Sequence, residues 1–156
     1  MTQEWHRKQQ LDGPTRIKMT RNVNKILLID DEPDVTITYK AILQEVGFIV
    51  DTYEDPLIAL SDFKPGFYDL IILDIKIPKM NGFELYAELQ KIDSQVKVCF
   101  VTADEMYYNR VRKQGEQQYC VLDTDRFLRK PISSTNLLER VAKIVILNKS
   151  KYIQSK

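Results

Sequence analysis

The chain is poor in the residues that dictate specialised scaffolds. It has two cysteines in 156 residues, Cys99 inside an apolar run and Cys120 standing alone. Two thiols in such contexts do not make a disulfide framework; they fit buried or idle side chains in a reducing cytoplasm. Glycine is scarce, with five in all, and no Gly-x-x-x-x-Gly-Lys occurs, which excludes a nucleotide-binding phosphate loop. No apolar run reaches the length of a membrane span, and the start has no apolar signal core. Internal repeats and low-complexity tracts are missing. The length is that of one domain, and an apolar fraction of 44% suffices for a single core.

Net charge is +1, so the average is uninformative, but its distribution is not. Residues 1–25 carry six Lys/Arg against two acids, and residues 139–156 carry five against one. The middle, 26–138, is left with twelve basic and nineteen acidic residues, a net of −7. An acidic body between basic ends points to acidic chemistry in the centre. The ends read as solvated tails, with contact to nucleic acid or anionic lipid as the alternative.

Residues 1–24 are polar, are broken by Gly13-Pro14 and show no sustained apolar period, which predicts a mostly disordered extension with at most a helical turn near Trp5. From residue 25 strand and helix patterns alternate. Strands are predicted at Lys25–Ile29, Phe48–Thr52, Tyr68–Leu73, Val96–Val101 and Arg126–Arg129. Helices are predicted at Asp34–Val46, with Val35, Tyr39, Ile42, Leu43 and Val46 on one face, and at Asp55–Phe63, capped by Asp55 with Pro56 in the first turn. A third helix starts at Asn81 or Gly82, with Phe83, Leu85, Leu89 and Ile92 inward. A polar helix spans Glu105–Gln118. The last, Ser133–Leu147, is capped by Ser133 or Ser134 and carries Leu137, Leu138, Val141, Ile144 and Val145. Five strand-helix repeats predict an α/β fold, a five-stranded parallel sheet with helices on both faces.

Charged residues end these buried strands, where α/β sheets collect ligands. Asp30 and Asp31 follow Ile26–Ile29. Adjacent carboxylates repel unless a cation compensates, and a hard divalent ion such as Mg²⁺ prefers oxygen ligands. Read blandly, the same Asp-Asp-Glu-Pro-Asp run caps the next helix. Asp74 ends the most apolar strand, before a loop shaped by Pro78 and Gly82. It suits a carboxylate nucleophile towards phosphorus, or else a loop-fixing or capping Asp. Thr102, ending the fourth strand before Ala103, can donate to a phosphoryl oxygen or be an ordinary strand-end threonine. Lys130 ends the fifth strand before Pro131. It offers a mobile point charge for a phosphoryl oxygen, and the X-Pro bond permits a cis peptide. The blander account is a surface lysine before a turn.

Together, Ile29-Asp30-Asp31-Glu32-Pro33, Leu73-Asp74-x-x-x-Pro78-x-Met80-Asn81-Gly82, Val101-Thr102-Ala103 and Lys130-Pro131-Ile132 resemble the receiver domain of two-component response regulators. The resemblance covers 24–148, leaving 1–23 as a basic extension and 149–156 as a basic tail. It implies the CheY-like, flavodoxin-like doubly wound sheet with strand order 2-1-3-4-5. By resemblance, Asp74 is the phosphoacceptor, and Mg²⁺ is held by Asp30, Asp31, Asp74 and the backbone carbonyl of Lys76. Lys130 binds the phosphoryl oxygens, and Thr102 and Phe127 are the switch residues. Phe127 stands three residues before Lys130 and lacks the hydroxyl of a tyrosine. The resemblance also implies a sensor histidine kinase or phosphotransfer protein as donor, and a downstream protein partner bound by the face of the 105–118 helix, last strand and last helix. A homodimer is compatible with it; membrane and nucleic-acid partners are not expected. No conventional enzyme is expected, only self-catalysed phosphotransfer and slow autodephosphorylation. Lys76 and Asp104 flank the phosphoryl position, where their opposite charges can pair and hinder the attacking water.

The sequence departs from the family pattern in two places. The stretch from Thr102 to Lys130 is longer than usual, with the excess in 115–125, and the basic N-terminal extension is not needed by a receiver. No helix-turn-helix or catalytic segment follows the last helix, so the expectation is a single-domain regulator or a phosphorelay intermediate, unless the sequence is part of a longer protein. The competing reading is a phosphorylation-independent module of the same fold, binding a partner through its basic ends, nucleic acid included. A hydrolase of the haloacid dehalogenase kind needs Asp-x-Asp after a strand, and Asp74-Ile75-Lys76 supplies no second acid.

Overall fold

The structure is a computed structural model that describes residues 24–106, 108–109 and 126–154, with side chains of the last helix to Ile146. The expectations for residues 1–23 and 115–125 lie outside the described residues.

Five strands form one parallel sheet: β1 (Lys25–Ile29), β2 (Ile49–Tyr53), β3 (Leu70–Asp74), β4 (Lys97–Thr102) and β5 (Phe127–Arg129). Their order is β2-β1-β3-β4-β5, the doubly wound order expected. Among the described residues the helices are α1 (Pro33–Glu45), α2 (Pro56–Asp62), α3 (Gly82–Ile92) and α4 (Ser134–Gln154). Helical residues also follow β4 at 105–106 and 108–109, where the polar helix was predicted to start; the rest of that helix lies outside the described residues.

The three inner strands, β1, β3 and β4, are apolar nearly along their length because both faces are covered, as in parallel sheets generally, whereas the edge strand β2 carries Asp51 and Thr52. Side chains alternate between two cores. Leu27, Ile29, Ile71, Leu73, Val98 and Phe100 pack with Ala59 of α2 and with Phe83, Leu85, Tyr86 and Leu89 of α3. Ile26, Leu28, Leu70, Ile72, Cys99 and Val101 pack with Tyr39 and Leu43 of α1 and with Leu137, Val141, Ile144 and Val145 of α4. Two residues expected on apolar faces are instead exposed: Val46, 54% exposed, follows the last turn of α1, and Ile92, 41% exposed, is the final residue of α3. Helix α4 continues beyond Leu147, where its apolar stripe predicted an end.

Capping follows side-chain chemistry. Asp55 accepts the Leu57 N–H at 2.8 Å, Ser133 accepts the Asn136 N–H at 3.1 Å, and Asn81 forms a reciprocal capping box with Glu84. The register brings the strand ends to one edge, with Ile29 opposite both Tyr53 and Leu73, Asp74 opposite Val101, and Thr102 opposite Arg129.

Candidate phosphoacceptor site

Asp30 lies just beyond β1, its backbone N–H bound to the Tyr53 carbonyl at 3.1 Å. It is 2% exposed, and its two oxygens face different partners. Oδ1 accepts the Glu32 N–H at 2.9 Å, and Oδ2 accepts from the Lys130 ammonium at 2.6 Å. The capping role is therefore not what holds the acid pair here. Glu32 is the N-cap of α1, with no side-chain cap bond, and Pro33 opens the helix.

Asp74 is the last residue of β3 and is also buried. Its Oδ1 accepts the Lys76 N–H at 3.1 Å, and its Oδ2 accepts from Lys130 at 3.0 Å. The loop-fixing role is thus real and the capping role is not, since Asn81 caps α3. Asp31 completes the cluster: one oxygen from each of Asp30, Asp31 and Asp74 can be chosen so that all lie within 4.8 Å of one another. Asp31 also lines an open cleft of about 480 Å³ with Lys76, Pro78, Asn81 and Phe83.

Loop 74–82 reaches α3 through a close approach. The Gly82 N–H donates to the Ile75 carbonyl at 2.8 Å. A Cβ at Gly82 would stand 2.5 Å from the Asp74 carbonyl oxygen, so only glycine lets the backbone pass there. On the far side, the Lys130 N–H binds the Thr102 carbonyl at 2.8 Å, and the Lys130-Pro131 peptide is cis. Thr102 is buried, and its hydroxyl accepts the Asp104 N–H at 3.1 Å. Phe127 is buried, its ring stacked on Phe100 with centroids 5.4 Å apart, and Arg140 donates to its carbonyl at 3.0 Å. Lys76 and Asp104 pair at 2.5 Å.

The electrostatics follow from this crowding. Burial, then the charge of Asp30, pushes the Asp74 carboxyl up to about 6 against the pull of Lys130. Burial draws Lys130 down, but its bonds to Asp30 and Asp74 outweigh that and hold the ammonium above its ordinary value. Two buried carboxylates bridged by one ammonium remain short of positive charge, and Asp31 adds a third acid. All-oxygen donors with surplus negative charge suit a hard divalent cation.

Asp30, Asp31, Asp74, Lys76 and Lys130 thus converge on one pocket. Thr102 stands on the same edge, and Phe127 lies in the core beneath β5. Two contacts escape sequence reading. Glu32 lies 3.9 Å from Lys130, and Lys79 pairs with Asp55 across 24 positions. The cap role of Asp55 is legible; its second partner leaves no periodic signal.

The model of the response regulator receiver domain matches residues 26–142. The CpxR homolog of Haemophilus influenzae, a transcriptional regulatory protein, is 33% identical over 79% of this chain and 51% of its own length. The transcriptional activator IrlR of Burkholderia pseudomallei is 33% identical over 78% of this chain and 50% of its own. The chain therefore spans about half the length of these curated relatives. Among solved structures, the response regulator TrrA of Thermotoga maritima, in complex with Mg²⁺-BeF, is 32% identical with a TM-score of 0.64, covering 78% of this chain and 98% of that one. A CheY-like receiver from Methanospirillum hungatei shares the fold at a TM-score of 0.65 and 22% identity, over 83% of this chain and 99% of that one. The chain belongs to the family of response regulator receiver domains of two-component systems.

Proposed function

We propose that Asp74 accepts a phosphoryl group from the phosphohistidine of a sensor kinase or phosphotransfer protein in a Mg²⁺-dependent reaction. The observation that carries this reading is the Lys130 bridge between two buried carboxylates, Asp30 and Asp74, beside Asp31. An Asp74 oxygen attacks phosphorus as the phosphorus–nitrogen bond of the donor breaks, the bonding pair returning to an imidazole whose other nitrogen carries a proton, so that an acyl phosphate and a neutral imidazole result. The Lys76 N–H orients the acceptor through Oδ1. The Lys130 ammonium, already beside Oδ2, is positioned to follow charge onto the transferred group. Asp30, Asp31, Asp74 and the Lys76 carbonyl would hold Mg²⁺, which neutralises phosphoryl charge when bound.

The product adds up to about two negative charges to a pocket already short of positive charge. Lys130 then has a stronger partner than Asp74 had offered. Thr102, on the same edge, is the hydroxyl nearest in register, and Phe127 of β5 packs on Phe100 of β4 and Phe83 of α3. A change there would be read by a downstream protein. Cys99, buried with its thiol pushed up to about 12, stays a packing residue, in keeping with a reducing cytoplasm.

The test is chemical trapping. After incubation with Mg²⁺ and a phosphodonor, borohydride reduces an aspartyl phosphate to homoserine. Peptide mass spectrometry should find homoserine at residue 74. Aspartate unchanged at 74, under conditions that convert a control receiver, would favour the phosphorylation-independent module.

A further inference from the structure

The loop between β3 and α3 crosses the open edge of the sheet, and its path is held by uncommon means. Ile75 and Ile77 are buried and fasten it from below. Lys79 has φ +74°, and the Met80 N–H donates to the Pro78 carbonyl at 2.9 Å. A hydrogen bond closing three residues around a centre with φ near +75° marks a γ-turn of the strained hand. Glycine occupies that region freely, whereas a side chain with a Cβ resists it.

Lysine at this position is held by its far end. The Lys79 ammonium pairs with Oδ2 of Asp55. Asp55 is itself fixed, because its Oδ1 caps α2 through the Leu57 N–H at 2.8 Å. On the opposite flank, Lys76 pairs with Asp104 beyond β4. The loop is thus strapped at two points, towards α2 by Lys79 and towards β4 by Lys76. Between the straps lie the two backbone bonds that shape the site, Lys76 N–H to Asp74 Oδ1 at 3.1 Å and Gly82 N–H to the Ile75 carbonyl at 2.8 Å.

We propose that Lys79 and Asp55 form a positioning pair: their ion pair holds the strained turn closed and thereby sets the path of the Asp74–Gly82 loop over the carboxylate pocket. The functional half of this inference rests on Asp74 being the phosphoacceptor; the half concerning loop geometry does not. The pair is partly exposed, so high salt weakens it and loosens the loop with it.

The experiment compares Lys79→Met with Lys79→Gly in the full chain. Both remove the same charge and the same ion pair, so any direct electrostatic effect on the pocket is equal. Only the Met variant keeps a Cβ in the strained turn. Amide hydrogen exchange at Lys76 and Gly82 is followed in metal-free buffer, with Ile72 in β3 reporting global opening. Exchange at the two loop amides should be about fivefold or more faster in Lys79→Met than in Lys79→Gly. Asp55→Asn, which keeps a capping oxygen, should show a similar rise over wild type, and Lys79→Arg should not. Phosphorylation by a small phosphodonor with Mg²⁺ should fall in Lys79→Met relative to Lys79→Gly by a similar factor. Equal loop exchange in the Met and Gly variants would overturn the proposal, and so would a parallel rise at Ile72, which signals general destabilisation. If wild type takes up no phosphoryl group, the assignment of Asp74 fails while the exchange comparison still decides the positioning pair.

Discussion

The Lys130 ammonium stands 3.0 Å from Oδ2 of Asp74, joining residues 56 positions apart. The same ammonium is 2.6 Å from Asp30, so one cation holds two buried acids together. Removing one member of such a group leaves the others uncompensated, a larger effect than the group's net contribution. Lys130→Met should therefore lose about 3 kcal/mol of stability in metal-free urea unfolding at neutral pH. Added Mg²⁺ should restore part of that loss. A Lys130→Met protein as stable as wild type without metal would contradict the electrostatic account of the pocket.

Asp74 gives the opposite sign. Its folded carboxyl is raised to about 6 from the ordinary aspartate value of 3.8. The folded state therefore binds this proton more tightly than the unfolded chain, and the ionised form is penalised above pH 6. Stability from this group falls as pH rises from about 4 to 6, and the penalty is complete by about pH 7. In metal-free buffer Asp74→Asn should be more stable than wild type at pH 7.5, by up to about 3 kcal/mol. The gap should close as pH falls through 6 towards 4. Thermal melts of the two proteins across this range check it; a gap that widens on acidification refutes it.

The Lys76–Asp104 pair joins the 74–82 loop to the residue two past β4 at 2.5 Å, with the Lys76 side chain 66% exposed. An exposed pair contributes little to stability, about 1 kcal/mol or less. Its effect should appear instead in the lifetime of the acyl phosphate, by obstructing the attacking water. Lys76→Ala should speed dephosphorylation several-fold with little change in melting temperature. An unchanged decay rate would assign the pair no part in protecting the phosphoryl group.

Gly82 is set by space. Its absent Cβ would meet the Asp74 carbonyl oxygen at 2.5 Å and the Ile75 Cα at 2.9 Å, both backbone atoms that cannot rotate away. Gly82→Ala should lose about 2 kcal/mol, as overpacked sites do, and should slow phosphorylation as the loop is pushed off the pocket. Denaturant titration and phosphorylation rate together test this. An alanine variant matching wild type in both would mean the loop yields freely.

Much of the sheet was legible because its inner strands are buried on both faces and read as apolar runs. The strand limits were displaced in a consistent direction. Tyr68–Leu73 was expected where β3 is Leu70–Asp74, and Val96–Val101 where β4 is Lys97–Thr102. Apolarity marks burial, whereas a strand is defined by backbone ladder bonds, which continue through Asp74 and Thr102. Asp74 and Thr102 therefore lie inside the strand ends, whereas Asp30, Asp31 and Lys130 lie just beyond β1 and β5. Two apolar positions at helix ends differ as well: Val46 falls one residue past the end of α1, and Ile92, the last residue of α3, is exposed and not inward. The Lys79–Asp55 pair was illegible, because two surface charges 24 positions apart leave no periodic mark. For Phe127 the sequence supplied only a place in a pattern; its packing on Phe100 and Phe83 depends on how β5 and α3 meet.

The central claim is that Asp74 is a phosphoacceptor, and intact mass after incubation with Mg²⁺ and a small-molecule phosphodonor tests it most directly. Wild type should gain the mass of one phosphoryl group, lose it on standing, and show no gain when Mg²⁺ is chelated; Asp74→Asn should gain none. An equal gain in wild type and Asp74→Asn, or none in wild type while a control receiver is modified, would contradict the claim.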